Sequence, residues 1–211
     1  MPPWTPEEKW KDEDVFIIGG GDSLRSFDWN LLKDEMTIGC NSAFLHGSEI
    51  CKICLFGDAE WFSIYKHDLE RYEGIVFTNS PQLFKTRISW VWTMQREQGG
   101  LFYKSLGWNG TTGNTGASAV NLALILGAKR VFLLGFDMQL SSEGKPNWHD
   151  RLIKKPKAAI YPKFVRQFLL VKKDLKNKFP GREIINITDD SNLNLFSKIG
   201  VQEFWKERKS A

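Results

Sequence analysis

Short apolar runs that stop at a glycine recur along this chain, and they restrict its fold more than any other feature. They occupy residues 15–18, 51–56 and 130–134. A run of this length that ends at glycine favours a buried strand over a helix, because strands are usually shorter than helices. Further strands are predicted at residues 36–40, 74–78 and 183–187.

Segments with helical patterns lie between these strands. They are a short piece at residues 29–33 and longer helices at 59–72, 114–126 and 161–178. The helix at 114–126 has Asn114 as a suitable N-cap and stops before Gly127, a residue type favoured just beyond helix ends. It is apolar over most of its surface, so we expect it to be buried. Residues 81–110 are expected to form short elements in a variable, mobile, aromatic-rich insertion.

Strands that alternate with helices imply a parallel sheet covered on both faces. The predicted fold class is therefore α/β, a Rossmann-like three-layer sandwich with a mostly parallel sheet. At 211 residues the chain fits one such domain over 1–211, with residues 1–13 as an N-terminal extension. No apolar run approaches the roughly 20 residues that span a bilayer. The acidic start is the reverse of a secretory signal, so a cytoplasmic location is expected.

Ligands bind open parallel sheets beyond the carboxyl ends of the strands, near the point where the strand order switches. Small or polar residues follow four of the predicted strands and are expected to meet there. They are Gly20, Gly21, Asp22 and Ser23 after the first strand, Asn41 and Ser42 after the second, Asp58 after the third, and Gly135, Phe136 and Asp137 after residues 130–134. A glycine turn lets the backbone approach a phosphate and offers it N–H groups. We therefore interpret these residues as a nucleotide-binding site.

A second phosphate-binding candidate runs into the helix at 114–126. Residues 110–116 read GTTGNTG, so that Thr115 and Gly116 lie at the start of the helix. Free N–H groups and the helix dipole make such a position an anion site, with simple N-capping as the alternative interpretation. The sequence lacks the two common phosphate-binding motifs, the P-loop and the dinucleotide-binding motif. There is no Gly-Lys-Ser/Thr, and Leu24 stands where the dinucleotide motif has its third glycine.

His149 is the candidate general base, because imidazole suits proton transfer near neutral pH. His149 lies in the polar loop after Asp137. The alternative interpretation is that His149 is a surface histidine without a role. Asp137 is the second candidate catalytic residue. Asp58 and Asp137 are each suited to accept hydrogen bonds from ribose hydroxyls or from a base edge, to hold a metal ion, or only to cap a helix or a turn. His46, in a loop, and His67, on a polar helix face, are expected to be peripheral.

The cysteines and the acidic residues argue against two kinds of metal site. Cys51 and Cys54 are three apart in a predicted strand, so we expect their side chains to point to opposite faces, and a zinc site is disfavoured. With Cys40 they form an odd set of three, which does not suggest a disulfide framework. No strand ends in the Asp-x-Asp pair of metal-dependent sugar transferases. Sugar transfer here would therefore be independent of metal.

Charge and aromatic content point to possible binding surfaces. The net charge is +4, yet residues 151–179 hold ten basic side chains against one acid. Such a segment attracts phosphates on a nucleotide or on a nucleic acid, unless it is only the solvated face of a helix. The chain also has nine Trp. Since a buried indole needs a hydrogen-bond partner, we expect some of these rings to line grooves.

At this point the order of the motifs resembles a known family. Residues 15–24 (VFIIGGGDSL) and 38–44 (IGCNSAF) resemble the start of bacterial sialyltransferases that use CMP-sugars without a metal ion. Residues 113–118 (GNTGAS), 133–138 (LLGFDM) and 148–150 (WHD) are more similar to the domain shared by flagellin-glycosylation accessory factors and archaeal 6-hydroxymethylpterin pyrophosphokinases. Compact proteins of this kind are often encoded by bacteriophages. The resemblance covers about residues 15–200.

The resemblance implies roles for individual positions. Phosphate contacts would fall at Gly21 to Ser23 and at Thr115 and Gly116, nucleoside contacts at Asn41 and near residues 135–137, and the transferred group near His149. The first turn departs from the family pattern, with Gly20 in place of Asn and Asp22 in place of Pro. No tyrosine pair is evident beyond Tyr161, so the leaving group would be stabilised by backbone N–H groups or by Lys154 and Lys155.

Three functions are consistent with these features. The first is a metal-independent, sialyltransferase-like glycosyltransferase that takes a nucleotide sugar and a hydroxylated acceptor, with His149 as base. The second is ATP-dependent pyrophosphoryl transfer, in which Mg²⁺ would be held by Asp22, Asp58 and Asp137. The third is a non-catalytic module that binds a nucleotide or, through residues 151–179, a nucleic acid.

Overall fold

An eight-stranded parallel sheet forms the centre of the protein. The computed structural model describes residues 9–110, 113–149 and 158–210. The strands in this part of the chain are β1 (Asp14–Ile18), β2 (Met36–Cys40), β3 (Ile53–Phe56), β4 (Ile75–Thr78), β5 (Val91–Thr93), β6 (Arg96–Gln98), β7 (Leu106–Trp108), β8 (Arg130–Leu134), β9 (Glu183–Asn186) and β10 (Ser197–Lys198). The sheet order is β10-β9-β8-β1-β2-β3-β4-β5, while β6 and β7 pair separately. The predicted α/β class is confirmed.

Helices cover both faces of this sheet. They are α1 (Ala59–Glu70), α2 (Pro81–Thr86), α3 (Thr115–Ile125), α4 (Tyr161–Lys178) and α5 (Val201–Ser210). Side chains along β1 alternate between two cores: Val15 and Ile17 pack with α3 and α4, and Phe16 and Ile18 pack with α1 and α5. Two-sided burial explains why these strands read as continuous apolar runs. None of the helices in the described ranges is long and apolar enough to cross a bilayer.

The ends of α1 and α3 follow from their capping residues. Asp58 accepts hydrogen bonds from the N–H groups of Glu60 and Trp61 at the start of α1. Asn114 does the same for α3, and Gly127 takes φ +97° just beyond its end, as predicted.

The predictions were weakest where secondary structure depends on distant partners. Residues 81–110 contain α2 and the β6–β7 pair, but they also supply β5, which extends the main sheet beside β4. The helix α5 was not predicted, since its only buried apolar side chains are Phe204 and Trp205.

An ion-pair network fixes α5 at the amino ends of the central strands. Arg208 donates to both carboxylate oxygens of Glu35 at 2.6 and 2.7 Å and to Asp14 at 2.7 Å. Arg130 on β8 binds Asp14 from the other side with two hydrogen bonds of 2.7 Å. The last described helix is thus tied to the first strand.

The prediction that Cys51 and Cys54 point to opposite faces is wrong. The strand begins at Ile53, so Cys51 precedes it and the alternation does not apply. Both thiols pack in the core beneath α1.

Candidate functional site

A cavity of about 720 Å³ lies at the carboxyl edge of the sheet, where the order switches between β1 and β8. The turns after β1, β2, β3 and β8 and the start of α3 line it. Ten of the predicted residues are among its lining: Gly20, Gly21, Asn41, Asp58, Thr115, Gly116, Gly135, Phe136, Asp137 and His149. Residues that are far apart in sequence therefore meet in one pocket, as the parallel-sheet rule predicts.

The turn after β1 continues the pairing of β1 with β8. The N–H of Gly19 donates to Leu134 O at 2.7 Å, and the N–H of Gly21 donates to Gly135 O at 2.8 Å. A Cβ on Gly21 would lie 1.9 Å from an oxygen of Asp137. Glycine is needed here for close approach, and these two N–H groups are used by the protein itself.

Asp137 connects the two turns. Its carboxylate accepts from Ser23 Oγ at 2.6 Å and from the Ser23 N–H at 3.0 Å. Burial raises the pKa of Asp137 and nearby Asp22 adds to the rise, while the Ser23 hydrogen bonds oppose it. The carboxylate thus lines the pocket while it holds the glycine turn in place.

Three predicted residues are outside the pocket lining. Asp22 forms an ion pair with Arg25, at 2.9 Å from Nε, and Ser23 is engaged with Asp137. Ser42 is buried inside the 3₁₀ helix Asn41–His46. Asn41, directly before Ser42, has φ +51° and lines the pocket. The left-handed conformation is tolerated better by Asn than by most other side chains.

The start of α3 presents a hydrogen-bond donor that has no acceptor in the described ranges. Oδ1 of Asn114 accepts from the N–H groups of Gly116 and Ala117, at 2.9 and 3.4 Å. Its Nδ2 is buried and has no acceptor among the described residues, and Asn114 lines the pocket. Thr111 and Thr112 of the predicted motif lie outside the described residues.

Tyr161 adds a second donor at the first turn of α4. Its hydroxyl is buried without a hydrogen-bond partner in the described part of the chain, and the residue lines the pocket. Burial raises the pKa of Tyr161, and the charge of Asp137 raises it further. The phenol thus keeps its proton and can serve as a hydrogen-bond donor at the pocket. Lys154 and Lys155 lie outside the described residues.

Sequence reasoning missed a cation in the pocket. The guanidinium of Arg96 lies 4.5 Å from the ring centre of Trp108, and both residues line the cavity. Among the described lining residues, Arg96 is the only lysine or arginine. Burial lowers its pKa. Glycines at 57 and 113 leave room for the indole, since Cβ atoms there would lie 2.6 and 1.7 Å from it. The abundance of Trp was the only feature of the sequence that pointed to this contact between Arg96 and Trp108.

His149 lines the pocket, whereas His46 lies outside its lining, as predicted. His46 is half-buried, and its ring stacks on Trp29 with centres 3.6 Å apart. It also lies 4.6 Å from the ring of Trp148, the neighbour of His149. His67 is exposed on α1, as predicted.

The described carboxylates do not form a metal site. Asp22, Asp58 and Asp137 are engaged with Arg25, the start of α1 and Ser23 respectively. Within the described ranges, no group of three or more His, Cys, Asp or Glu side chains could hold a metal ion.

Comparison with solved structures gives similarity to two glycosyltransferases. The sialyltransferase CstII from Campylobacter jejuni, solved with cytidine-5′-monophosphate, is 15% identical; the match covers 90% of this chain and 86% of that chain with a TM-score of 0.56. The MAf glycosyltransferase from Magnetospirillum magneticum AMB-1 is 12% identical; the match covers 95% of this chain and 35% of that chain with a TM-score of 0.63. The similarity is one of fold. No protein-family model matches the chain, and no curated protein matches it significantly.

Proposed function

We propose that this protein is a glycosyltransferase that uses a nucleotide sugar and needs no metal ion. The observation that carries the proposal is the meeting of separate turns around one cavity of about 720 Å³, in a fold shared with two glycosyltransferases. That volume suits a small-molecule ligand. The absence of an Asp-x-Asp pair after any strand in the sequence supports independence from metal.

Side chains of the pocket offer donors to a phosphate, whereas the N–H groups of Gly19 and Gly21 are used within the protein. Asn114 Nδ2 and the Tyr161 hydroxyl have no acceptor in the described part of the chain. Arg96 adds the positive charge. A ligand anion would satisfy buried groups that otherwise cost free energy. These three residues are therefore assigned to the donor phosphate.

The proposed reaction uses His149 as the base. An acceptor hydroxyl attacks the anomeric carbon, its proton passes to the imidazole of His149, and the bond from that carbon to the phosphate oxygen breaks. Asn114, Tyr161 and Arg96 stabilise the charge that develops on the departing phosphate.

Nucleotide binding is tested first, because a ligand that binds only the folded state stabilises it. We expect one of CMP, UDP, GDP or ADP to raise the melting temperature by about 5–10 °C at roughly 100 times its Kd. This nucleotide-dependent rise in melting temperature should be the same in EDTA, and the Arg96→Met variant should not show it. The control Arg166→Met changes an exposed arginine of α4 and should keep it. A rise that requires Mg²⁺ would favour pyrophosphoryl transfer instead.

Turnover then tests His149. Release of free nucleotide from the matching nucleotide sugar should fall at least about 100-fold in His149→Ala, the range expected for loss of a general base. His67→Ala, exposed on α1, should match wild type. Full turnover in His149→Ala would remove His149 from the mechanism.

The exposed face of α4 favours a second candidate, a module that binds nucleic acid. Five exposed basic side chains lie along this helix: Lys163, Arg166, Lys172, Lys173 and Lys176. Binding through them would weaken steeply as salt rises. Five phosphate contacts to a single strand cost roughly 10²-fold in affinity between 50 and 200 mM salt. Affinity for single-stranded DNA or RNA that does not change over this interval would exclude this function.

A further inference from the structure

Three aromatic side chains from distant parts of the chain stack beside the pocket. The imidazole of His46 lies nearly parallel to the indole of Trp29, with ring centres 3.6 Å apart and planes at 22°. Trp148 completes the cluster at 4.6 Å from His46 and 5.4 Å from Trp29. We call these three residues the aromatic stack.

The stack joins the loop that carries His149 to the first turn of the sheet. The N–H of Trp148 donates to Gly20 O at 3.1 Å. Arg25 donates from Nη2 to the carbonyl of Asn147 at 3.0 Å. The ring of His149 contacts Trp148 edge to face, with centres 4.8 Å apart. The place of His149 at the pocket is therefore set by its neighbours in the loop.

His46 itself does not line the described part of the cavity. Its Nε2 is buried with no hydrogen-bond partner among the described residues. Burial lowers the pKa of His46, and the nearby His149 lowers it further. The imidazole therefore packs against both indoles, which also lie against each other.

We propose that His46 is a positioning residue: together with Trp29 it holds Trp148, and thereby fixes His149 against the pocket. The inference rests on the proposed function, in which His149 receives the acceptor proton. Small displacements of a catalytic group reduce turnover strongly, by about 100-fold for 1 Å. The groups assigned to the donor phosphate lie on β6, at the N-cap of α3 and on α4, so we expect phosphate binding to change little when the stack opens.

The test compares His46→Ala, which opens the stack, with His46→Phe, which keeps a flat neutral ring. His67→Ala is the matched control. With CMP-sialic acid as the probe and released CMP as the readout, we expect kcat to fall at least tenfold in His46→Ala with KM within about twofold of wild type. His46→Phe should restore kcat. Equal losses in both variants, or a rise in KM with kcat unchanged, would overturn the proposal.

Hydrogen–deuterium exchange without ligand separates this inference from the proposed function. Amides in residues 141–149 should exchange faster in His46→Ala than in wild type, while His46→Phe and His67→Ala stay at the wild-type rate. Exchange in α1 should not change in His46→Ala, which also shows that the variant is folded. An unchanged rate in residues 141–149 overturns the inference even if the wild type turns over the donor. Faster exchange in a protein that releases no CMP from the probe supports the holding role, and the failure then lies with sialyl transfer.

Discussion

At the scale of single residues, the contact between Gly21 and Asp137 determines the shape of the pocket floor. A methyl group at position 21 would lie 1.9 Å from the carboxylate that binds Ser23. We expect Gly21→Ala to lose about 1–3 kcal/mol of stability, as overpacked sites do, and to lose nucleotide-dependent stabilisation as well. Urea unfolding with and without nucleotide measures both effects. Gly200→Ala is the control, because Gly200, like Gly21, lies outside the left-handed region and its nearest neighbour would be 3.4 Å from the added Cβ.

Asn114 combines two functions that one substitution can separate. Asp at this position keeps the oxygen that caps α3 and replaces the unpaired Nδ2 donor by a negative charge. We expect Asn114→Asp to stay within about 0.5 kcal/mol of wild-type stability, since Asp and Asn cap equally well. Its affinity for the bound nucleotide, measured by calorimetry, should fall at least tenfold. Asn114→Ala should lose affinity and also about 1 kcal/mol of stability. Unaltered affinity in Asn114→Asp would show that Nδ2 does not contact the ligand.

At the scale of elements, the sequence predicted those whose pattern is local. The apolar runs of β1 and β8 and the caps of α3 lie within a few residues of one another, and the structure has them at those places. The edge strand β5 has only three residues and is defined by pairing with β4. The helix α5 buries two aromatic residues and depends on Arg208 reaching Asp14 and Glu35. Such partners are not visible in a local window of sequence.

The attachment of α5 should depend on pH. Burial opposes ionisation of Asp14, but hydrogen bonds from Arg130 and Arg208 prevail and hold its pKa below 3.8. The stability this provides is present above pH 3.8 and is lost as pH falls through the lower, folded value. Arg208→Met should therefore cost about 2 kcal/mol at pH 7, and this difference from wild type should shrink below pH 3.8. Urea unfolding at pH 7 and pH 3 measures it, with Arg166→Met as the control; a difference that is constant with pH would contradict the role of Asp14.

At the scale of the whole molecule, the position of the site was predictable and part of its chemistry was not. Parallel strands bring their carboxyl ends to one edge, so Gly21, Asn41 and Asp137 had to be neighbours once the order of elements was known. Arg96 reaches the cavity from the separate β6–β7 pair, and His46 lies beside the loop of His149 through its stacking with Trp29 and Trp148. No spacing rule relates such residues.

The three cysteines report on the integrity of the whole fold. Cys40, Cys51 and Cys54 are buried. Burial raises the pKa of all three thiols, that of Cys51 to about 11. Because the thiolate is the reactive form, we expect no labelling by a thiol reagent in the native state at pH 7 and three equivalents after unfolding in guanidinium. Rapid labelling of Cys51 or Cys54 in the native protein would indicate local opening of the core beneath α1, and labelling of Cys40 would indicate opening of the core beneath α3.

The two strands that pair with β1 are synthesised at very different times. β2 follows it closely, whereas Ser23 and Asp137, which close the turn against β8, are 114 positions apart. During synthesis one edge of β1 therefore has no partner strand until β8 has been synthesised. An unpaired strand edge is a site where nascent chains can associate incorrectly. A ligand of the cavity cannot help at that stage, because the floor of the cavity forms only when β8 has joined the sheet. A small molecule that binds this cavity can therefore stabilise only a sheet that has already assembled, and it cannot direct the assembly.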